Sequence, residues 1–428
     1  MSPGNPDRPA TPLPLPGACG KREGDQVLPG PAASCLSFAM NERTIPTCFN
    51  LARARERFGS HADKLAPFLL RSDRLADAAT DAFHRVPGGR GRKLFYEALD
   101  RGIDSVRGAP AALRELFAQV ADVPLWVDWG RIDRGGETHR RCGVTGGLVL
   151  ACGSLPRTYC TPAANKPLVF SGKLVNRAPL RLAETARFFL ETCMPGGLRP
   201  YAPGWRTTVI VRIIHAEIRR KLRNSPRWDG AAWGLPLNQV DLAHTNLLFS
   251  VGLLDGLRRV GFHFSRAESE SVMHLWRYSG YLLGIAPELL CATEDDGRRL
   301  MALIRTAQEP PDEDAQCLLK ALMETAIPRL LSSGGPGGGK GAARVARFCY
   351  GLSHSLLGRQ LAEGLGYPKT LWRHTARLLT RLVVTPAEVF RRLVPGAHAR
   401  AVARGTRKAR ERLKGGPGGG QARPSVPP

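Results

Sequence analysis

The side chains best equipped for chemistry in this sequence sit in TTVIVRIIHAEIRRKLR, residues 207–223. Val209, Ile210, Val211, Ile213, Ile214 and Ile218 would surround a helix here with β-branched apolar groups, so most of its circumference should be buried. Against that background Arg212, His215 and Arg219 recur at i, i+3 and i+7, on a single face. Desolvation and two guanidiniums both oppose protonation of His215, and neutral imidazole is the form that binds a metal. The arginines need anions, yet the segment offers only Glu217, on a different face. A haem would meet both demands, with iron for the imidazole, an apolar face for the isoleucines and propionates for the arginines. A core histidine whose arginines pair with distant carboxylates would meet them too. On spacing alone the core histidine is the default, since a lone His identifies no cofactor.

A second segment, LRLAETARFFLETC (180–193), adds a polar face to an apolar helix. Arg181 and Thr185 lie four residues apart and share that face with Phe188, while Glu184 adjoins Thr185. Hydrogen-bond donors set in an aromatic wall suit the stabilisation of negative charge developing on dioxygen. The same residues also fit an amphipathic surface helix carrying an Arg181–Glu184 ion pair. His244 and His274 fall on separate predicted helices among apolar neighbours, where a satisfied core or surface histidine is the default. Asn238, Gln239 and Asp241 follow Gly234 and Pro236, and helix capping accounts for them.

These groups must be held by helices. From about residue 62 the pattern is helical almost throughout, broken by Pro- and Gly-containing loops such as 87–91 and 195–204. Ala109–Ala121 places Leu113, Leu116, Phe117 and Val120 on one face. The S-R-A-E run from Ser265 to Glu268 is a capping box for a helix reaching about Leu283, and Asn238 or Asp241 is expected to cap a helix over His244–Leu257. Strand signals are weak; Gly147–Cys152 is the best short apolar run and fits helix or loop equally. The run 332–342 is a Gly-rich loop. Residues 1–40, rich in Pro and Gly, are expected to be disordered, with Met40 before NERTIP a candidate start. The domain proper is expected over 41–395, and 396–428 as a basic frayed helix with a Gly/Pro-rich end. Both terminal segments are expected to be dispensable.

Composition narrows the partners. Hydrophobic residues make up 43% of the 428, enough for a large core, and the net charge is +25. Fourteen of those charges arise between Lys340 and Lys414, where 17 Lys or Arg face three acids. Such a segment suits an anionic membrane surface, or nucleic acid without sequence specificity; a solvated basic tail with no partner is the default. The ten cysteines contain no C-x-x-C and suit a reduced compartment, so a cytoplasmic location is expected. No stretch is long and apolar enough for a transmembrane helix, and no secretory leader is evident.

Taken in order, Arg181-Leu-Ala-Glu-Thr185, the Gly/Pro-rich Cys193–Gly204 and Arg212-Ile-Ile-His215-Ala-Glu-Ile-Arg219 resemble the catalytic domain shared by latex clearing proteins (rubber oxygenases) and the mycophenolic-acid-pathway oxygenase. WGLPLNQVDLAHTNLLFS (233–250), HLWRYSGYLLGI (274–285), PLWVDWGRIDRG (124–135) and LAD (75–77) fit the same pattern, over roughly residues 60 to 370. The resemblance implies an all-α fold with a globin-like core holding haem b. By the same resemblance His215 is the iron ligand, Arg181 and Thr185 are distal groups, and Arg212 and Arg219 flank the ligand as propionate or supporting partners. The implied activity is an oxygenase acting with O2 on a carbon–carbon double bond of an isoprenoid or other unsaturated apolar substrate. Two departures stand out. Glu184 replaces a lysine that can occupy the iron's sixth position in the latex clearing branch, which suggests an open distal site and a catalytic part for Glu184. No acid occurs between Glu137 and Glu184, where that branch carries a catalytic glutamate; Asn165, Lys166 and Lys173 stand there instead. Set against this reading is a non-catalytic helical protein that binds nucleic acid or anionic membrane through its basic C-terminal third.

Overall fold

In the computed structural model, residues 45–170, 174–327 and 339–415 are described. The chain divides after Met40, and Asn41–Pro428 is one compact unit. The segment expected to be disordered at 1–40, most of the Gly-rich loop at 332–342 and the Gly/Pro-rich end lie outside the described residues, although the helix from Gly339 takes in the last residues of that loop.

Among the described residues the secondary structure is helical, with one isolated antiparallel bridge between Phe49 and Gln308. The helices that matter for the site are α1 (Arg74–Arg85), α2 (Ala111–Ala121), α3 (Trp129–Arg141), α4 (Leu174–Thr192), α5 (Pro203–Arg223), α6 (Gln239–Phe249), α7 (Val251–Arg259) and α8 (Arg266–Leu282), followed by α9 (Glu294–Ala307), α10 (Gly339–Leu357), α11 (Trp372–Leu393) and α12 (Ala397–Gly415). The apolar run at 147–152 is helical and passes into a wide turn at Leu150–Ser154, all five residues of which are buried.

Local sequence explains the element ends. Ser265 Oγ accepts the Glu268 amide at 3.1 Å while Glu268 accepts the Ser265 amide at 2.8 Å, so the capping box starts α8. Asn238, and not Asp241, caps α6 by accepting from the Val240 and Asp241 amides. The single helix expected over His244–Leu257 is broken at Ser250, where the backbone leaves helical geometry between α6 and α7.

Helix α8 packs along α3 and also touches α5. Gly135 lets α8 approach α3 closely, since a Cβ there would stand 2.4 Å from the Ser271 carbonyl oxygen. Trp276, pressed into that seam, donates its indole N–H to His139 Nε2 at 3.0 Å. Trp276 also stacks on Phe249 at 4.9 Å between ring centroids and on Phe189 of α4 at 5.8 Å. Trp205, at the start of α5, is fully buried and donates to the Val120 carbonyl at 3.1 Å.

The basic helix expected at the C-terminal end is present over Ala397–Gly415, and it is packed where fraying was expected. That stretch is the continuous helix α12, with Ala397, Gly405 and Ala409 buried, and it packs on α3. Gly405 sits against the backbone at Arg140, and Arg140 Nε donates to Thr406 Oγ1 at 2.9 Å.

Candidate active site

Helix α5 carries the predicted polar stripe, and two buried ion pairs fix its position. Arg212 is 2% exposed and grips Asp73 with two bonds, Nε to Oδ2 at 2.6 Å and Nη2 to Oδ1 at 2.9 Å. It also reaches Gln119 on α2 and the Leu282 carbonyl at the end of α8. Arg219 is fully buried and donates from Nε to Asp77 Oδ1 at 2.7 Å and from Nη1 to the Leu237 carbonyl at 3.2 Å. Asp73 caps α1 and Asp77 lies one turn on, so two acids at i, i+4 on α1 meet two arginines at i, i+7 on α5. Sequence reasoning allowed for distant carboxylates and quoted Asp77 within LAD, but assigned neither acid to an arginine. Their signal was Asp77 lying beside Ala76, Ala79 and Thr80 on the buried side of an amphipathic helix.

His215 lies between these two arginines and is half-buried. Burial first, then the charges of Arg219 and Arg181, outweigh Asp73 and push its pKa down to about 4. The ring is therefore neutral near pH 7. Its Nδ1 is buried and has no hydrogen-bond partner among the described residues.

Helix α4 packs along α5. Glu191 of α4 ties the two together by accepting from Arg187 at 2.8 Å and from the Thr207 hydroxyl. Thr185 is half-buried, whereas Arg181 and Glu184 are exposed. The Arg181 charge acts on both His215 and Tyr159; burial raises the Tyr159 pKa and Arg181 opposes that shift. Tyr159 therefore joins the neighbourhood of Arg181, and no sequence signal singled it out. Phe188 and Phe189 turn into the aromatic cluster with Phe249 and Trp276, so the polar residues of α4 do have an aromatic backing.

The acid-free stretch before α4 receives carboxylates from later in the chain. Lys166 Nζ pairs with Asp312 at 3.0 Å and with Asp314, and Asn165 Nδ2 donates to the Tyr159 carbonyl at 2.6 Å. Asp312 also caps the helix Glu313–Ala321, which gives it a structural task of its own.

The remaining buried histidines have partners or are sealed. His139 accepts from Trp276, and His274 Nε2 accepts the Asp128 amide at 2.9 Å. His244 resembles His215 in leaving one ring nitrogen, Nε2, without a partner. It is 4% exposed, however, its Nδ1 faces Gln308 at 3.3 Å, and burial together with Arg305 and Arg157 pushes its pKa down to about 3. The half-buried ring of His215 is the more accessible of the two. Among the described residues no three His, Cys, Asp or Glu side chains converge as an all-protein metal site would need. A metal at His215 has to bring its other ligands with it, as the iron of a porphyrin does. One neutral imidazole in an apolar helix wall fits that group. The two flanking arginines do not call for its propionates, because Asp73 and Asp77 already neutralise them.

Comparison with known proteins identifies the family and the fold. The family described as ER-bound oxygenase mpaB/B'/Rubber oxygenase, catalytic domain, matches residues 140–388. A rubber oxygenase from Streptomyces sp. (strain K30) is 28% identical over 193 residues, which cover 44% of this chain and 46% of the relative. The match thus spans about half the length of that relative. The structure of Latex Clearing Protein LCP in the closed state aligns with a TM-score of 0.62 at 22% identity, over 80% of this chain and 90% of that one, and shares the all-helical fold. The matched stretch takes in α4, α5 and more than half of the chain, which therefore belongs to the catalytic-domain family of the ER-bound oxygenase mpaB/B' and rubber oxygenase.

Proposed function

We propose that this protein is a haem b-dependent oxygenase acting with O2 on a carbon–carbon double bond of an isoprenoid or other unsaturated apolar substrate. The observation that carries the reading is His215, a neutral, reachable imidazole whose Nδ1 lacks a partner inside the α5 wall. Family membership supports the same chemistry. In this reading His215 holds the haem, which supplies the redox-active iron that dioxygen chemistry on an alkene requires. Arg212 and Arg219 act as supporting residues: their bonds to Asp73 and Asp77 fix the height and rotation of α5, and hence of His215.

The α4 residues Arg181, Glu184 and Thr185 are assigned to the reacting side. The Arg181 guanidinium presents a fixed positive charge, and the Thr185 hydroxyl a donor, toward negative charge that develops during reaction. Glu184 is the carboxylate nearest Thr185 in sequence and can take or return a proton there. Phe188 and Phe189 of the same helix pack against Trp276. Cleavage of an alkene by O2 to two carbonyls balances without an external reductant, so substrate and O2 suffice as reactants. The non-catalytic alternative draws no support from the family match.

The test is oxygen uptake by haem-loaded protein given oligomeric isoprenoid alkenes, with carbonyl products identified by mass spectrometry after labelling with 18O2. Label in both new carbonyls is expected. Substrate-independent oxygen uptake with no labelled carbonyl would overturn the assignment.

A further inference from the structure

Helix α11 turns an apolar face to solvent. Its buried residues are Ala376, Val384 and Glu388, and Glu388 accepts from Arg141 at 2.9 Å and from Arg391 at 3.0 Å. On the opposite side Leu378, Leu382, Val383, Val389, Phe390 and Leu393 are exposed, Val383 by 73% and Leu393 by 76%. At 3.6 residues per turn these side chains cover an arc of about 140°. Eight of the thirteen large hydrophobic side chains exposed among the described residues fall on α11 or on Leu371 just before it. Scattered exposed leucines need no explanation, but a continuous stripe marks an interaction surface.

The charge around the stripe identifies its partner. Residues 371–415 hold 12 Lys or Arg against two acids, Glu388 and Glu411, and Glu388 is already neutralised inside the protein. Arg377, Arg381 and Arg392 are exposed along one flank of α11, and α12 beside it exposes Arg404, Arg407 and Lys408. A second copy of this chain would bring the same positive charge against itself. Nucleic acid would satisfy the arginines but leave the leucines in water. An anionic lipid surface satisfies both.

We propose that α11, flanked by α12, docks this protein on an anionic lipid bilayer, with Leu382, Val383 and Phe390 among the acyl chains and the arginines at the headgroups. No helix among the described residues is long and apolar enough to cross a membrane, so the contact is a surface one. The sequence pointed to the basic tail; the structure puts the apolar half of the surface on the helix before it. Helix α12 also packs on α3 and on α4. The docking itself does not depend on the oxygenase reading.

The experiment is flotation of the full-length protein with phosphatidylcholine vesicles, with and without phosphatidylserine. Binding is expected only when phosphatidylserine is present, and it should weaken as salt is raised. Val383→Asp combined with Phe390→Asp should abolish binding while circular dichroism and melting temperature stay unchanged, since both side chains are exposed. Arg377→Gln combined with Arg392→Gln should weaken binding about thirty-fold, the loss expected for two basic side chains at the lipid surface. The proposal is overturned if the wild-type protein stays with the unbound fraction, or if the Val383/Phe390 variant floats as well as wild type. It is equally overturned if sedimentation shows a dimer that the Val383/Phe390 variant dissociates, because the stripe would then be covered by a second copy.

Discussion

Asp77→Ala should destabilise this protein far more than the loss of one surface acid would. The substitution leaves the Arg219 guanidinium, which is fully buried and bonded to Asp77 at 2.7 Å, with the Leu237 carbonyl as its one remaining partner among the described residues. Breaking a buried pair by removing one partner costs about 3–5 kcal/mol, because the surviving charge stays desolvated and uncompensated. Replacing both partners removes that problem, so Asp77→Ala combined with Arg219→Met should recover most of the loss and end within roughly 1–2 kcal/mol of wild type. The assay is urea unfolding followed by far-ultraviolet circular dichroism, at matched haem loading, because bound ligand adds stability of its own. A cost below about 1 kcal/mol for Asp77→Ala would place the pair in the range of exposed ion pairs and refute the reasoning. So would a double variant no more stable than the single.

Three further outcomes follow. Burial pushes the Asp241 carboxyl up to about 7 from 3.8, against the opposing hydrogen bond at Asn238. A raised folded-state value means this stability is complete below about pH 4 and is lost as pH climbs through 7, by roughly 4 kcal/mol in all. Asp241→Asn should therefore flatten the fall in melting temperature over that window; an unchanged profile would refute the assignment. Gly405→Val would set a Cβ 1.9 Å from the Arg140 carbonyl oxygen and should detach α12, as truncation after Pro395 should. Both should lower the melting temperature by several degrees and open the α3 amides to hydrogen exchange, and a protein indifferent to either would show that α12 does not belong to the domain. Glu184→Lys in haem-loaded protein should shift the resting ferric spectrum toward a six-coordinate low-spin form and blunt its response to cyanide. No spectral change would remove Glu184 from the reacting side.

The helix bearing His215 was legible because its chemistry is local: six β-branched apolar residues and three polar ones at helical spacing. What neutralises the arginines was not, since Asp73 and Asp77 lie 139 and 142 residues away and pair with them only through tertiary packing. The capping box at Ser265 was readable to the residue for the same local reason. The break at Ser250 was not, because the apolar run on either side continues without a proline. The helix at α12 was legible but its packing was not, because small residues make the contact: Ala397, Gly405 and Ala409 bury well without raising hydropathy. A hydropathy pattern also reports that α11 has an apolar stripe but not which face the core leaves uncovered.

The central claim is that His215 holds a haem. Its most direct measurement is the visible spectrum and pyridine haemochrome of the purified protein beside His215→Ala, His244→Ala and His274→Ala. The account predicts a b-type haem bound in equal proportion to the wild-type chain, retained by the His244 and His274 variants and lost from His215→Ala, with helix content unchanged in all four. A folded but colourless wild-type protein from haem-supplemented expression would contradict it, as would a His215→Ala variant that keeps its haem while His244→Ala loses it.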